Sequence, residues 1–213
     1  MQRDAHKYGF DALRQHVIRT SASWQMEADG DYSLNPDMRD DIISNATKKA
    51  AVLIGFIERN GEAHVILTKR TEKLANHSGQ IAFPGGKIDA SDPSPEAAAL
   101  REAWEEIGLD INEVEILGKL PDYHSGSGFK INPVLGLVSS DADFEINADE
   151  VEYMFDVPLR FLMNPKNHVK ASKFFRGAHR HYYEMPFENH YIWGVTAGMI
   201  RVLYDRVFSH AST

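Results

Sequence analysis

The sequence predicts an α/β domain in which helices pack against a mixed β-sheet. Apolar runs of β type, separated by turn residues, recur along the middle of the chain, and segments with helical spacing lie between and beside them. The chain has 213 residues, 43% of them apolar, and no Pro/Gly/Ser-rich linker divides it. We therefore expect one domain at residues 48–213, with residues 1–47 as an N-terminal helix and irregular extension packed on it.

The first predicted element is an amphipathic helix over about residues 4–19. Phe10, Leu13, Val17 and Ile18 recur at helical spacing, so they form one apolar face. This face is expected to pack on the main domain or on a partner. The polar stretch that follows, to residue 47, is predicted to be irregular.

A β-hairpin is the next predicted element. Residues 49–57 form an apolar run of β type, Asn60-Gly61 is a turn signal, and residues 64–69 form the second strand. Further strands are predicted at 80–83, 113–120, 131–138, 168–175 and 181–185.

Two helical segments are predicted in the second half of the chain. One is a short helix at about residues 149–155. The other is a terminal helix of about four turns, because apolar residues recur at helical spacing from Val195 to Val207. Tyr182 and Trp193, which lie before this helix, are interpreted as core or dimer-surface residues in preference to an adenine platform.

The most sharply bounded element is a helix over about residues 95–107. Ser94 is a good N-cap, Pro95 suits the first helical position, and Glu96 complements the positive end of the helix dipole. Gly108 supplies the left-handed residue that commonly follows a last helical turn.

Three glutamates on this helix are candidate metal ligands. Glu102, Glu105 and Glu106 stand at i, i+3 and i+4, which brings their side chains to one face. In a cleft of effective dielectric near 20, two carboxylates about 6 Å apart repel by roughly 3 kcal/mol, and a cation relieves that cost. An isolated pattern of this kind is more often a solvated face. If a metal binds, oxygen ligands without cysteine favour Mg²⁺ or Mn²⁺ over Zn²⁺.

The segment from residue 86 to 109 resembles a Nudix box, G-x5-E-x7-R-E-U-x-E-E-x-G-U, where U is aliphatic. Its fixed positions are matched by Gly86, Arg101, Glu102, Glu105, Glu106, Gly108 and Leu109. Asp92 stands where the early glutamate is expected, and eight residues instead of seven separate it from Arg101.

This resemblance implies the Nudix fold, an α/β/α sandwich with a mixed sheet and, here, added N-terminal and C-terminal helices. It implies that the Gly86 carbonyl is a further metal ligand and that Arg101 orients a box glutamate, with a surface ion pair as the alternative interpretation of Arg101. Water is expected to attack a phosphorus of a diphosphate linkage. Glu105 and Glu150 are both candidates for the general base, and Glu150 is equally an ordinary acidic residue at a helix start.

The residues before the box are similar to the coenzyme A pyrophosphatase branch of the Nudix family. That branch has the signature LLTxRS…G…FPGG, and this chain has LTKRT at 67–71 and FPGG at 83–86. The resemblance suggests substrate-binding residues, each of which has an ordinary structural alternative such as a solvated charge or a backbone cap. They are Lys69, Arg70, His77, Gln80, Lys87, Ser127 and Phe129.

Coenzyme A or its acyl thioesters are the expected substrates, with ADP-ribose, NADH and nucleoside triphosphates as alternatives. A non-catalytic binding module of Nudix fold is the alternative of another class. It has little support, because all three box glutamates are present.

Charge and composition limit the kinds of partner and the cellular location that the sequence allows. The net charge of −8 argues against a nucleic-acid surface, and a phosphate-bearing substrate must be met by local basic groups and metal. There is no cysteine for a disulfide framework and no apolar run long enough for a membrane span. The N-terminus lacks the apolar core of a signal peptide, so we expect a cytoplasmic protein. Resemblance to Nudix proteins also suggests a possible homodimer.

Overall fold

The computed structural model describes residues 8–21, 27–73, 78–175 and 177–209. The helices are α1 (Phe10–Ser21), α2 (Arg39–Asn45), α3 (Pro95–Ile107), α4 (Leu159–Leu162) and α5 (Gly194–Leu203). The strands are β1 (Asp29–Gly30), β2 (Lys48–Arg59), β3 (Glu62–Arg70), β4 (Ile81–Ala82), β5 (Gly85–Lys87), β6 (Val114–Lys119), β7 (Tyr123–His124), β8 (Phe129–Val138), β9 (Val151–Pro158), β10 (Val169–Phe175), β11 (Ala178–Phe187) and β12 (His190–Trp193).

A mixed sheet built around β2 forms the centre of the domain. β2 pairs in parallel with β8 and antiparallel with both β3 and β5. β3 also pairs with β4 and β9, and β8 also pairs with β6 and β7. β1, from the N-terminal extension, joins the sheet by parallel pairing with β7.

Both faces of this sheet are buried. Because successive side chains of a strand point to opposite faces, Leu53 of β2 packs in the cluster that contains Ile107 of α3. Its neighbour Ile54 packs in the cluster that contains Leu13 of α1 and Ile200 of α5. Helices therefore cover the sheet on both sides, which confirms the predicted α/β/α sandwich with N-terminal and C-terminal helices.

A second, antiparallel sheet is formed by β10, β11 and β12. Met185 of β11 and Ile192 of β12 are paired neighbours, and both are fully buried in the cluster that contains α5. One face of this small sheet is thus fixed to the core of the domain.

Three sequence-based expectations about local structure differ from the structure. The predicted helix at 149–155 is wrong: residues 151–158 form β9, because β3 offers them a ladder of backbone partners from His64 to Arg70. The terminal helix spans the predicted residues but changes type, since α5 ends at Leu203 and continues as a π-helix over Tyr204–Phe208. The stretch before residue 47 is not wholly irregular, because it contains β1 and α2.

At the N-terminus, α1 begins at Phe10, and residues 4–7 of the predicted helix lie outside the described residues. Leu13 and Val17 are buried as expected, whereas Ile18 is 66% exposed. Among the residues that the structure describes, no helix combines the length and hydropathy needed to span a membrane.

Candidate active site

Helix α3 has the boundaries that its sequence predicts. Ser94 Oγ accepts a hydrogen bond from the Ala97 N–H at 3.2 Å, and Gly108 ends the helix in the left-handed conformation with φ 67°. Ala103 and Ile107 are fully buried against the sheet. This packing fixes the rotation of the helix and therefore the direction in which its glutamates point.

Arg101 holds the acidic residues around α3 together. Its guanidinium donates to both carboxylate oxygens of Asp92 at 3.0 Å, to Glu102 at 3.0 Å, to Glu105 at 2.9 Å and to the Lys87 carbonyl at 3.0 Å. The hydrogen bonds from Arg101 lower the pKa of Asp92. Asp92 therefore binds the arginine of the helix in spite of the longer loop between them.

Glu106 is the most deeply buried of the three helix glutamates, with 1% of its side chain exposed. One carboxylate oxygen accepts from Arg70 Nη1 at 2.9 Å and the other from the Gly85 N–H at 3.2 Å. Burial raises the pKa of Glu106 to about 7, and these two contacts oppose the rise. The fold thus holds a carboxylate where its charge is poorly solvated.

Glu102 lies beside the backbone of β5. Its side chain is 15% exposed, and a Cβ at Gly86 would lie 2.7 Å from its Oε1 and closer still to Oε2. Burial raises the pKa of Glu102, and the charges of Glu105 and Glu150 add to the rise. Only glycine leaves room for this carboxylate at residue 86.

A cavity of about 970 Å³ opens beside these carboxylates. Its wall includes Glu102 and Glu106 of α3 and Glu150, which lies just before β9. Gly86 also lines it. Five of the residues suggested as substrate contacts lie in the same wall: Arg70, Gln80, Lys87, Ser127 and Phe129.

The remaining candidate residues lie elsewhere. Glu105 and Arg101 do not line the cavity, and the Glu105 side chain is 43% exposed. Lys69 Nζ pairs with Glu152 at 2.9 Å outside the cavity wall. His77 falls outside the described residues.

The N-terminal extension fixes the loop that carries Ser127. Asp31 is partly buried, and it accepts hydrogen bonds from the Tyr123 hydroxyl and the Gly126 N–H, each at 2.7 Å. Burial raises the pKa of Asp31, and these two bonds oppose the rise. Asp31 also lines the cavity, so the extension contributes to the wall of the site.

Arg180, Tyr182 and Trp193 of the small sheet also line the cavity, and the sequence alone did not identify them as site residues. The alternation of Arg180 and Tyr182 along one strand was visible in the sequence. Nothing in that pattern shows which face of the strand meets the cavity, because the contact joins segments about a hundred residues apart.

The donor atoms beside the cavity fit a hard divalent cation in their chemistry. They are carboxylate oxygens, and the shared burial of Glu102 and Glu106 raises the pKa of both. Within the described ranges, however, no three histidine, cysteine, aspartate or glutamate side chains converge closely enough to hold one ion. In this structure Arg101 binds Glu102 and Glu105, and Arg70 binds Glu106. The metal-ligand set stays a prediction.

Comparison with known proteins finds a matching family and similar chains. The model of the NUDIX domain family matches residues 47–176. The uncharacterized Nudix hydrolase NudL of Citrobacter koseri is 38% identical over 156 residues, which are 73% of this chain and 81% of that protein. NudL of Yersinia pestis strain Pestoides F is 39% identical over 164 residues, which are 77% of this chain and 82% of that protein.

Among solved structures, the NUDIX domain of Shewanella oneidensis NrtR, complexed with ADP ribose, is similar with a TM-score of 0.48 and 18% identity. The similarity covers 76% of this chain and 88% of that chain.

Proposed function

Because this chain belongs to the Nudix hydrolase family, which makes it a pyrophosphatase, we propose that it cleaves the diphosphate of coenzyme A or an acyl-coenzyme A. Water adds to one phosphorus of the diphosphate while the bridging P–O bond breaks. The products are 4′-phosphopantetheine, or its acyl form, and adenosine 3′,5′-bisphosphate. The proton of the attacking water passes to a carboxylate of the site.

One observation carries the proposal: the helix that bears the box glutamates is also a wall of the large cavity. Glu102 and Glu106 reach that wall directly, and the Gly85-Gly86 segment lies against both carboxylates. A substrate in the cavity therefore has its reacting phosphorus beside the acidic face of α3. The pattern at residues 67–86, with its similarity to the coenzyme A branch, supports this substrate class.

We propose Glu102, Glu105 and Glu106, with the Gly86 carbonyl, as ligands of Mg²⁺ or Mn²⁺. A divalent cation bound there neutralises phosphate oxygens and makes a water molecule more acidic. Arg101 orients Glu102 and Glu105 through the bonds that it makes to them. Arg70 is available to a phosphate oxygen once its bond to Glu106 opens.

Glu150 is the better supported of the two candidate bases. It lines the cavity together with Glu102 and Glu106, and its charge contributes to the raised pKa of Glu102. Glu105 is bonded to Arg101 outside the cavity wall. We therefore propose Glu150 as the residue that accepts the proton of the attacking water.

The size and lining of the cavity suit an extended substrate. A volume of about 970 Å³ is at the upper end of the usual range for small-molecule sites, roughly 300–1,000 Å³. Apolar side chains such as Ile81, Phe83 and Met199 line it beside the charged ones. We assign the apolar part of the cavity to the pantetheine arm of the substrate. Phe129 and Ser127 are assigned to the border of this part.

A substrate panel tests the proposal. Purified protein is incubated with Mg²⁺ or Mn²⁺ and with coenzyme A, acetyl-coenzyme A, ADP-ribose, NADH or dATP, and the products are separated by anion-exchange chromatography. We expect adenosine 3′,5′-bisphosphate from the first two. Cleavage of ADP-ribose with coenzyme A untouched would contradict the proposed substrate.

A further inference from the structure

The small sheet presents a cationic and aromatic surface to the cavity. In the antiparallel pairing of β11 with β12, Glu184 stands opposite Trp193. Because alternate residues of a strand share a face, Arg180 and Tyr182 lie on the same face as Trp193. The opposite face carries Met185, which is fully buried. The surface formed by Arg180, Tyr182 and Trp193, which all line the cavity, is called the β11–β12 wall below.

Arg180 lies in this wall, and no acidic side chain in the described part of the chain forms an ion pair with it. Its Nη1 atom is buried, and no residue in the described part of the chain offers that atom a hydrogen-bond acceptor. Arg70, another arginine of the cavity, is already bonded to Glu106. Arg180 itself lines the cavity, so the contact available to an anionic ligand group is a charge-assisted hydrogen bond from this guanidinium.

The two aromatic residues beside Arg180 form a preorganised contact surface. The rings of Tyr182 and Trp193 meet edge to face, with centroids 5.4 Å apart and an interplanar angle of 67°. Both side chains are only partly buried, so part of each ring is open to a ligand. A base stacks on such a ring, and a guanidinium beside it binds a phosphate through a planar fork.

The wall is anchored by the N-terminal extension. The Asn35 side chain donates to the His181 carbonyl and accepts from the His181 N–H, both at 2.9 Å. His181 lies between Arg180 and Tyr182, so this pair of bonds fixes the strand at the point where it meets the cavity. A fixed strand holds the arginine and the aromatic ring at a constant spacing.

We propose that the β11–β12 wall binds the 3′-phosphoadenosine end of the substrate, with Arg180 on the 3′-phosphate and Trp193 and Tyr182 against the adenine. The inference rests on the proposed coenzyme A function and adds the residues that select this substrate. ADP-ribose and NADH carry no 3′-phosphate, so Arg180 gives the site a preference over these other diphosphates.

Nucleotide binding in the absence of metal tests the inference without relying on hydrolysis. Titration calorimetry compares adenosine 3′,5′-bisphosphate with adenosine 5′-monophosphate, which differ only in the 3′-phosphate. We expect wild-type protein to bind the bisphosphate about tenfold or more tightly, as a charge-assisted arginine contact predicts. Arg180→Gln should remove this preference and leave binding of the monophosphate unchanged.

Two further variants distinguish the effect of the Arg180 charge from the effect of ring stacking. They also distinguish it from a loss of the fold. Lys173→Gln removes an exposed cation directly opposite Arg180 on β10 that does not line the cavity, so the preference should persist. Trp193→Leu should weaken the binding of both nucleotides to the same extent, because it removes only the stacking contact. Thermal unfolding of each variant shows that the fold is retained.

Equal binding of the two nucleotides by wild-type protein, or a preference that survives Arg180→Gln, would overturn the inference. The same holds if Lys173→Gln lowers the preference as much as Arg180→Gln does. Failure of the substrate panel to show coenzyme A cleavage is a separate result, which contradicts the proposed substrate without deciding how nucleotides bind to the wall.

Discussion

Replacing Glu106 by glutamine is expected to stabilise the fold at alkaline pH. Burial raises the pKa of Glu106 to about 7 from its ordinary value of 4.5, so folding favours the protonated side chain. The contribution of Glu106 to stability is therefore greatest below about pH 4.5 and falls as the pH rises through about 7, because the buried carboxyl then loses its proton. Glutamine has nearly the same shape and cannot ionise, so this loss disappears.

Two terms set the size of the effect. At about 1.36 kcal/mol per pH unit, the difference between 4.5 and about 7 corresponds to about 3 kcal/mol at alkaline pH. Glutamine keeps one acceptor for Arg70 but loses the second, which serves the Gly85 N–H, at a cost of about 1 kcal/mol. The variant should thus be about 2 kcal/mol more stable than wild type near pH 8.5, and about equal to it near pH 5, where the two terms nearly cancel.

Urea-induced unfolding in EDTA at both pH values measures this difference. Glu115→Gln is the control, because hydrogen bonds from Arg14 lower the pKa of Glu115 and its contribution is constant above its ordinary pKa. Its stability difference from wild type should be the same at both pH values. The reasoning is refuted if Glu106→Gln is less stable than wild type near pH 8.5, or if its difference from wild type does not change with pH.

Three further substitutions test the network around α3. Asp92→Asn removes a charged partner of Arg101, and we expect the unfolding free energy to fall by about 1 kcal/mol, measured by urea denaturation. Gly86→Ala places a methyl group against the Glu102 carboxylate, and turnover should fall about tenfold or more in a product-release assay. Glu150→Gln should lower kcat by about 10²- to 10⁴-fold, measured in the same assay, because it removes the proposed base.

Controls exist for two of these substitutions. Asp89→Asn changes a carboxylate that is 65% exposed and 4.0 Å from Arg101, so its stability should stay near that of wild type. Glu152→Gln changes a carboxylate that pairs with Lys69 outside the cavity, so its kcat should be unchanged. A Gly86→Ala enzyme with wild-type turnover would show that the close approach to Glu102 has no role. Equal effects at Glu150 and Glu152 would remove the assignment of the base.

Elements with strong local signals were predictable from the sequence. Helix α3 has the predicted ends because its N-cap, its first-turn proline and its C-terminal glycine act within a few residues. The β2–β3 hairpin follows from Asn60-Gly61 in the same way. For the same reason, the positions of Glu102 and Glu106 on one helix face could be predicted before the fold was known.

Features that depend on distant partners could not be predicted in this way. Residues 151–158 have a spacing compatible with a helix, but pairing with β3 makes them a strand and brings Glu150 to the cavity. Arg180 and Trp193 enter the site only because the small sheet packs beside α5. The contact between Arg70 and Glu106 likewise joins two elements that no local pattern relates.

The dependence of coenzyme A cleavage on Mg²⁺ concentration, measured for wild type and Glu102→Gln, tests the central claim most directly. The wild-type rate should rise to saturation with Mg²⁺ and vanish in EDTA, and the variant should be about 10²-fold slower or more at saturation. Wild-type cleavage that continues in EDTA, or a Glu102→Gln rate equal to that of wild type, would contradict a metal-dependent diphosphate hydrolysis at the acidic face of α3.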